Sequence, residues 1–417
     1  MIRILHTADW HLGHRLYNQD RTPEHRAALR WLLEVITEEQ VDVLIVAGDV
    51  FDVSNPSNQA RELYYDFLTS LVRSPCTAAV IVGGNHDSPS MLDAPRGLMR
   101  ALQLHVVGAA RDEANERLIE LEVGEQKLLV AAIPYLRERD LRMASFGESA
   151  DDRLAALRAG IATYFRETGE AALHNRKHPR WPIVATGHLY AGGAEDDPEK
   201  TSYIYQADEQ NIRASEFPAC FDYVALGHIH RAQHVGGLEH VRYAGSLIPL
   251  TFVEGQRARS VRLVELGAGG EKVNSRKLEV PPSRPLHRLH GTLAEVKTRL
   301  REALDSHSGD LTGWVEVKVL TDRPLPNLYE SLREIILNHA GERNRLPSLE
   351  ILRISTERIH PIAGGSQPAE HRQLDEVRPE EVFAELCTTR GYDEEAASRL
   401  MDDFRMLRNW MEERESV

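Results

Sequence analysis

Apolar runs and amphipathic stretches alternate through the first 270 residues of the chain. Val43-Leu44-Ile45-Val46-Ala47 is apolar at every position, as in a strand covered on both faces. Comparable runs predict strands at 2–8, 41–47, 78–82, 127–132, 183–185 and 223–226, with more near 241–244 and 261–265. Helices are predicted near 23–39 and 152–168. The first carries a start signal: Thr22 as N-cap, Pro23 at the first helical position and Glu24 at the positive end of the dipole.

A break follows at 267–285, where Gly267, Gly269 and Gly270 make a turn and Pro281, Pro282 and Pro285 punctuate a linker. Beyond it the pattern reads strand–helix–strand–helix–strand, with strands at 286–291, 314–321 and 349–355 and helices at 293–305 and 327–339. Apolar and charged residues begin to alternate in Trp314-Val315-Glu316-Val317-Lys318-Val319, as in a half-exposed strand. A polar stretch with Pro361, Gly364, Gly365, Pro368 and Pro379 then reads as a second linker. Two helices are expected after it. The last, 393–413, spaces Ala396, Leu400, Phe404, Leu407 and Met411 along one face, with Trp410 nearby. Such a stripe docks either on its own protein or on a partner. The expected architecture is mixed α/β (α+β), divided into 1–275, 281–360, a 361–379 linker and a helical 380–417 segment.

At 417 residues the chain exceeds one ordinary domain. No run of 18 apolar residues occurs, so no membrane span is expected. The first residues enter a strand-like run at once, without a signal-peptide layout. Cys76, Cys220 and Cys387 lie far apart, which fits a reducing, cytoplasmic compartment and argues against a disulfide framework or a cysteine zinc site. The net charge of −14 weakens a nucleic-acid reading without excluding it. Residues 367–417 carry 14 acidic and 7 basic side chains, so half of the excess lies in the tail. Local clusters such as Arg137, Arg139 and Arg142 could still meet phosphates or could form a solvated helix face.

The chemistry concentrates in five short blocks, each after a strand-like run: Asp9-Trp10-His11, Gly48-Asp49-Val50-Phe51-Asp52, Gly84-Asn85-His86-Asp87, Gly187-His188 and Gly227-His228-Ile229-His230. Asp9 and His11, two apart beyond a strand, can reach one ion. A carboxylate such as Asp49 can bridge two cations, which a neutral imidazole cannot. Asn85 offers a carbonyl oxygen, and His188, His228 and His230 offer nitrogen. Mixed nitrogen and oxygen donors without thiolate suit Mn²⁺, Zn²⁺ or Fe²⁺. Gly48, Gly84, Gly187 and Gly227 permit tight strand-to-loop turns at a metal. Lone histidines such as His6, His25 and His234 read as structural or surface residues, and His14, beside the first block, stays open.

The ordered set resembles the calcineurin-like metallophosphoesterase superfamily and, within it, the SbcD family of bacterial DNA-repair nuclease subunits. That resemblance implies a β-sandwich flanked by helices, with a small βαβαβ capping domain that contacts DNA and a C-terminal helical segment. It implies two divalent ions, with Mn²⁺ expected. Asp9, His11, Asp49 and His230 would hold one ion, and Asp49, Asn85, His188 and His228 the other. His86 would protonate the leaving oxygen and Asp87 would orient His86. Some relatives carry a histidine at the position of Asp52, whose role here is expected to be supportive. Implied partners are DNA, an SbcC-like SMC-type ATPase gripped by the C-terminal helices, and a second copy of the chain. No Gly-x-x-x-x-Gly-Lys-Ser/Thr loop occurs, so ATP hydrolysis is expected of the partner alone. The rival reading is a small-molecule or cyclic-nucleotide phosphodiesterase with the same centre. A protein phosphatase is disfavoured because Val53-Ser54, not Arg-Gly, follows Asp52. A non-enzymatic interaction module is disfavoured because no ligand is missing from the set.

Overall fold

The structure is a computed structural model that describes residues 1–141, 149–192, 194, 212–307, 310–322, 324–343 and 346–358, with seven further positions between 383 and 404. It separates into two units, Met1–Ile359 and His360–Val417.

Two six-stranded sheets form the heart of the first unit. In one, Ile2–Thr7, Val43–Ala47, Ala78–Val82 and Leu104–Val107 run parallel, and Ser260–Leu266 and Asn274–Glu279 close the other edge antiparallel. In the other, Gln126–Ala131, Ile183–His188, Tyr223–Gly227 and Leu238–Tyr243 run parallel between the antiparallel edge strands Leu118–Val123 and Gln233–Val235.

Strand periodicity of two decides what lies between the layers. Ile2, Ile4, Val43, Ile45, Val80 and Val82 of the first sheet meet Leu128, Val130, Val184, Tyr223 and Ala225 of the second. The alternate residues Leu5, Leu44, Val46 and Ile81 turn outward onto helices Thr22–Glu38 and Asn58–Val72. Leu129, Ile183, Val224 and Leu226 turn outward onto helix Ala150–Asn175. The result is helix, sheet, sheet, helix, and both faces of the central strands are dry. That is why Val43–Ala47 is apolar throughout.

Helix Asn58–Val72 and the strands Leu104–Val107, Leu118–Val123 and Gln233–Val235 were not expected, and three further details differ. Arg21, not Thr22, is the N-cap of the first helix. The Thr22 hydroxyl instead donates to the Asp20 carboxylate at 2.9 Å, and Pro23 does occupy the first turn. The second helix runs further at both ends than 152–168, opening on Ser149, whose hydroxyl accepts from the Asp152 amide. The 267–285 break contains the strand Asn274–Glu279. Its residues are polar except for Leu278, which packs half-buried against the core, as suits an edge strand with little core to cover.

The βαβαβ unit follows. Leu286–Thr292, Gly313–Thr321 and Leu349–Arg358 make a parallel sheet, and Leu293–Asp305 and Leu328–Glu342 pack on it around Val315, Val317, Val319, Leu300 and Leu332. Thr292 and Glu295 form a reciprocal capping box at the start of Leu293–Asp305. This sheet touches the sandwich through a stacked seam. The Arg284 guanidinium lies 4.0 Å from the centroid of the Trp314 ring, and that of Arg21 lies 5.5 Å from it. Both arginines donate to Glu24 Oε1 at 2.7 Å. Leu16 and Phe252 pack with Leu286 and Trp314 beside this seam.

In the second unit the Phe383 and Phe404 rings stack at 4.3 Å, and Cys387 is buried. Arg399–Met401 and Phe404 are helical. The remainder of the expected stripe (Ala396, Leu407, Met411), Trp410 and the 361–379 linker lie outside the described residues. Among those that are described, no helix is long and apolar enough to cross a membrane.

Candidate metal centre

The parallel strands of both sheets end at one edge of the sandwich, and the five motif blocks are the loops that leave them. Asp9 and His11 follow Ile2–Thr7, Asp49 and Asp52 follow Val43–Ala47, and Asn85, His86 and Asp87 follow Ala78–Val82. His188 is the last residue of its strand, and His228 and His230 follow Tyr223–Gly227. To bring side chains from so many loops together, the backbone is bent hard. Among the described residues nine non-glycine positions have positive φ, and four of them are Asp9, His11, Asp49 and His228. Such conformations cost energy and persist where the surroundings over-determine them, typically at functional sites. A Cβ at Gly48, itself at φ +91°, would collide with the His188 ring, and one at Gly84 would collide with the Asp49 carboxylate.

All seven expected ligands converge. Asp49 Oδ2 lies 3.2 Å from His188 Nε2 and 3.5 Å from His11 Nε2, between two groups of donors. On one side His11 Nε2 is 3.2 Å from His230 Nε2, and Asp9, His11 and His230 offer ligand atoms within 4.8 Å of one another. On the other side Asn85 Oδ1 lies 3.0 Å from His188 Nε2 and 3.2 Å from His228 Nδ1. Asp9 leans towards both, since its Oδ1 accepts from the His228 amide at 2.8 Å while Oδ2 is buried with no hydrogen-bond partner. The arrangement suits divalent cations: buried carboxylates and ring nitrogens face one another with an unpartnered oxygen among them.

The other ring nitrogens are held from behind. His188 Nδ1 faces the Ala47 carbonyl at 2.8 Å, His11 Nδ1 the Asp52 carboxylate at 3.1 Å, and His230 Nδ1 the Glu254 carboxylate at 2.9 Å. Asp52 thus supports His11 directly. Glu254 carries no sequence signal, being a lone acid in a loop with no spacing to tie it to a motif.

His86 is exposed at the mouth of the cluster, its ring 4.8 Å from that of His11. Its amide donates to Asp49 Oδ1 at 3.0 Å, and its Nδ1 faces the backbone carbonyl of Asp52 at 2.7 Å. The expectation that Asp87 orients His86 is corrected. Asp87 is buried and turns away, accepting from the amides of Gly84 at 2.8 Å, Phe51 at 2.9 Å and Val50 at 3.1 Å. It pins two motif loops together, and the Asp52 carbonyl orients His86 instead. Arg137 reaches the same rim, donating to the Asp87 carbonyl at 3.3 Å.

The carboxylates and rings of the cluster shift one another strongly. Burial alone would raise Asp49, yet His188, His11 and His86 hold it well below the usual carboxylate range. Burial opposes charge on His188 too, but Asp49 and Asp9 lift it to about 9. Burial works against His11 in the same way, and Asp52, Asp49 and Asp9 outweigh it and raise that ring as well. Asp87 is pushed up to about 6 by burial and then by Asp49, against the pull of its three amide donors.

Two histidines outside the blocks do structural work. His6 bridges the Tyr223 hydroxyl and the Leu226 carbonyl, and His25 Nε2 sits 2.9 Å from the Trp10 carbonyl. Burial lowers both to about 3. His14 is mostly buried and lowered to about 4. His234 is exposed.

Comparison with known proteins agrees with this geometry. Residues 2–232 match the calcineurin-like phosphoesterase family, and residues 282–390 match the type 5 capsule protein repressor C-terminal domain. The SbcD subunit of the nuclease SbcCD from Escherichia coli K12 is 35% identical over 404 residues, spanning 97% of this chain and 97% of that protein. Its counterpart from Rhodobacter capsulatus is 34% identical, covering 92% and 94% of the two chains, and that from Bacillus subtilis is 30% identical, covering 86% and 88%.

Proposed function

This chain belongs to the SbcD family of calcineurin-like phosphoesterases and is a metal-dependent nuclease; from that premise we propose that it hydrolyses DNA phosphodiester bonds at duplex ends, single strands and hairpins with two Mn²⁺ ions. Asp9, His11, Asp49 and His230 hold one ion, and Asp49, Asn85, His188 and His228 the other. The observation that supports this most is the placement of Asp49 Oδ2 within 3.2 Å of His188 Nε2 and 3.5 Å of His11 Nε2, where one carboxylate oxygen faces both groups of donors.

When bound, the cations neutralise charge growing on the phosphate and lower the pKa of water at the site. The chain supplies the rest. His86 keeps a proton on Nδ1 for the Asp52 carbonyl, which aims Nε2 at the mouth of the cluster. In its imidazolium form it delivers the Nε2 proton to the departing sugar oxygen. Arg137 offers a guanidinium to the phosphate from the same rim.

Around this centre, residues 1–275 act as the nuclease domain and 281–360 as a cap that contacts DNA. Residues 380–417 bind an SbcC-like SMC-type ATPase, and two copies of the chain pair in the cytoplasmic complex. The test compares Mn²⁺-dependent degradation of labelled duplex and hairpin DNA with hydrolysis of a nitrophenyl phosphodiester. Degradation of DNA is expected. Release of nitrophenol with DNA left intact would transfer the assignment to a small-molecule or cyclic-nucleotide phosphodiesterase.

A further inference from the structure

We infer that Glu254 is a positioning residue for His230, and that Glu254 and Asp52 together make the two cation positions unequal, the one shared by Asp9, His11 and His230 being the tighter. This rests on the ligand assignment proposed above and adds to it a residue that lies in none of the motifs.

Glu254 opens a short turn, Glu254–Gln256, on the loop that leaves Leu238–Tyr243, and it is 1% exposed. A carboxylate so buried must be fully occupied to be tolerated. Oε2 accepts from the Leu250 amide at 2.9 Å and the Ser246 hydroxyl at 3.3 Å, and the Arg259 guanidinium stands 3.5 Å away. Arg259 in turn donates to the Glu254 and His230 carbonyls at 2.9 Å each. These contacts leave the carboxylate one orientation, with Oε1 on His230 Nδ1. An ionised carboxylate only accepts, so Nδ1 carries the proton and Nε2 keeps its lone pair for a cation.

His11 is arranged the same way through Asp52, and His188 is not. Its Nδ1 donates to the neutral Ala47 carbonyl. Donation to an anion raises imidazole basicity more than donation to an amide carbonyl, and Asp52 adds attraction of its own for a cation, whereas the charge of Glu254 is partly offset by Arg259. Both supporting carboxylates serve the same group of ligands. The two positions therefore share Asp49 but differ in the carboxylates Asp52 and Glu254 behind His11 and His230, where His188 has a backbone carbonyl.

The full-length protein, stripped with a chelator and dialysed, is titrated with Mn²⁺ while free ion is followed by its electron paramagnetic resonance signal. The wild type is expected to bind one ion tightly and one weakly. Glu254→Gln is expected to weaken the tight class by roughly 10–100-fold, with the weak class unmoved. Glu254→Asp, which keeps the charge, is expected to recover part of the loss. Two indistinguishable sites in the wild type would overturn the inference, as would an unchanged isotherm or equal weakening of both classes in Glu254→Gln. Should Glu254→Gln not fold, Asp52→Asn carries the same test from the accessible side of His11. A wild type that takes up no Mn²⁺ at all would instead remove the ligand assignment itself.

Discussion

The Nε2 atoms of His11 and His230 face each other at 3.2 Å across 219 residues of chain. Each ring gives its Nδ1 proton to a carboxylate, Asp52 or Glu254, so two lone pairs point into one small space. Only a cation or an added proton relieves that contact. Removing metal is therefore expected to lower stability, and Mn²⁺ at about 100 times its dissociation constant to restore ~2.7 kcal/mol. Thermal unfolding in chelator and in graded Mn²⁺ measures this. A transition temperature indifferent to Mn²⁺ would count against the ligand assignment.

His86 meets the cluster from its open side, beside His11 and Asp49, and its proposed role is to deliver a proton, not to hold a cation. His86→Ala is expected to keep both metals while cutting turnover by roughly 10²-fold or more. Elemental analysis and single-turnover cleavage of labelled DNA, run on the same preparation, separate the two effects. Loss of metal in this variant would contradict a proton-donor role.

His188 supplies a pH test on the metal-free protein. Its folded value of about 9 lies above the ordinary 6.5. The contribution of its charged form to stability is complete below about pH 6.5 and disappears as pH rises through 9. Cation binding requires the neutral ring, so affinity should climb across that same interval and binding should release protons. Calorimetric titrations in buffers of different ionisation heat report the protons directly. Binding at pH 7 with no proton release would refute the coupling.

Asp87 is a structural pin between two catalytic loops. Asp87→Ala strands the amides of Gly84, Val50 and Phe51, and leaving even one such group unsatisfied costs about 1–3 kcal/mol. The variant is expected to melt earlier and to bind Mn²⁺ more weakly, since Asn85 and Asp49 sit on the loops it joins. Unchanged melting would mean that water replaces the carboxylate at no cost.

Residues beyond about 365 are expected to carry the ATPase contact. A chain ending there should retain Mn²⁺-dependent cleavage of DNA yet fail to co-purify with an SbcC-like partner. Normal complex formation by the shortened chain would move that contact elsewhere.

The buried strands and the ligand-bearing blocks were legible in the sequence because chemistry and geometry demand the same letters, and the sandwich followed from the family resemblance those blocks carry. A strand dry on both faces must read like Val43–Ala47, and a ligand beside a tight turn needs a glycine such as Gly48 or Gly84. Among the features that were not legible, three have a clear physical reason. Asn274–Glu279 carries a single apolar residue, Leu278, because an edge strand covers little core, so its periodicity carries no signal. The adjacency of His86 and Asp87 suggested a pair, but consecutive side chains on a turning backbone diverge, and Asp87 went to the buried amides. Glu254 acts across 24 residues from a loop, and such a partnership leaves no local pattern to read.

The order of strands has a consequence for how the chain is made. Ile2–Thr7 is an interior strand whose outer neighbour, Ser260–Leu266, follows it by roughly 250 residues, a separation that takes on the order of 10–50 s to synthesise. Through that interval the growing polypeptide holds an apolar ribbon with one backbone rim unpaired. The same delay postpones the active centre, since His228, His230 and Glu254 also emerge late. The nascent enzyme therefore cannot cut nucleic acid until the segment that carries His228 and His230 has left the ribosome.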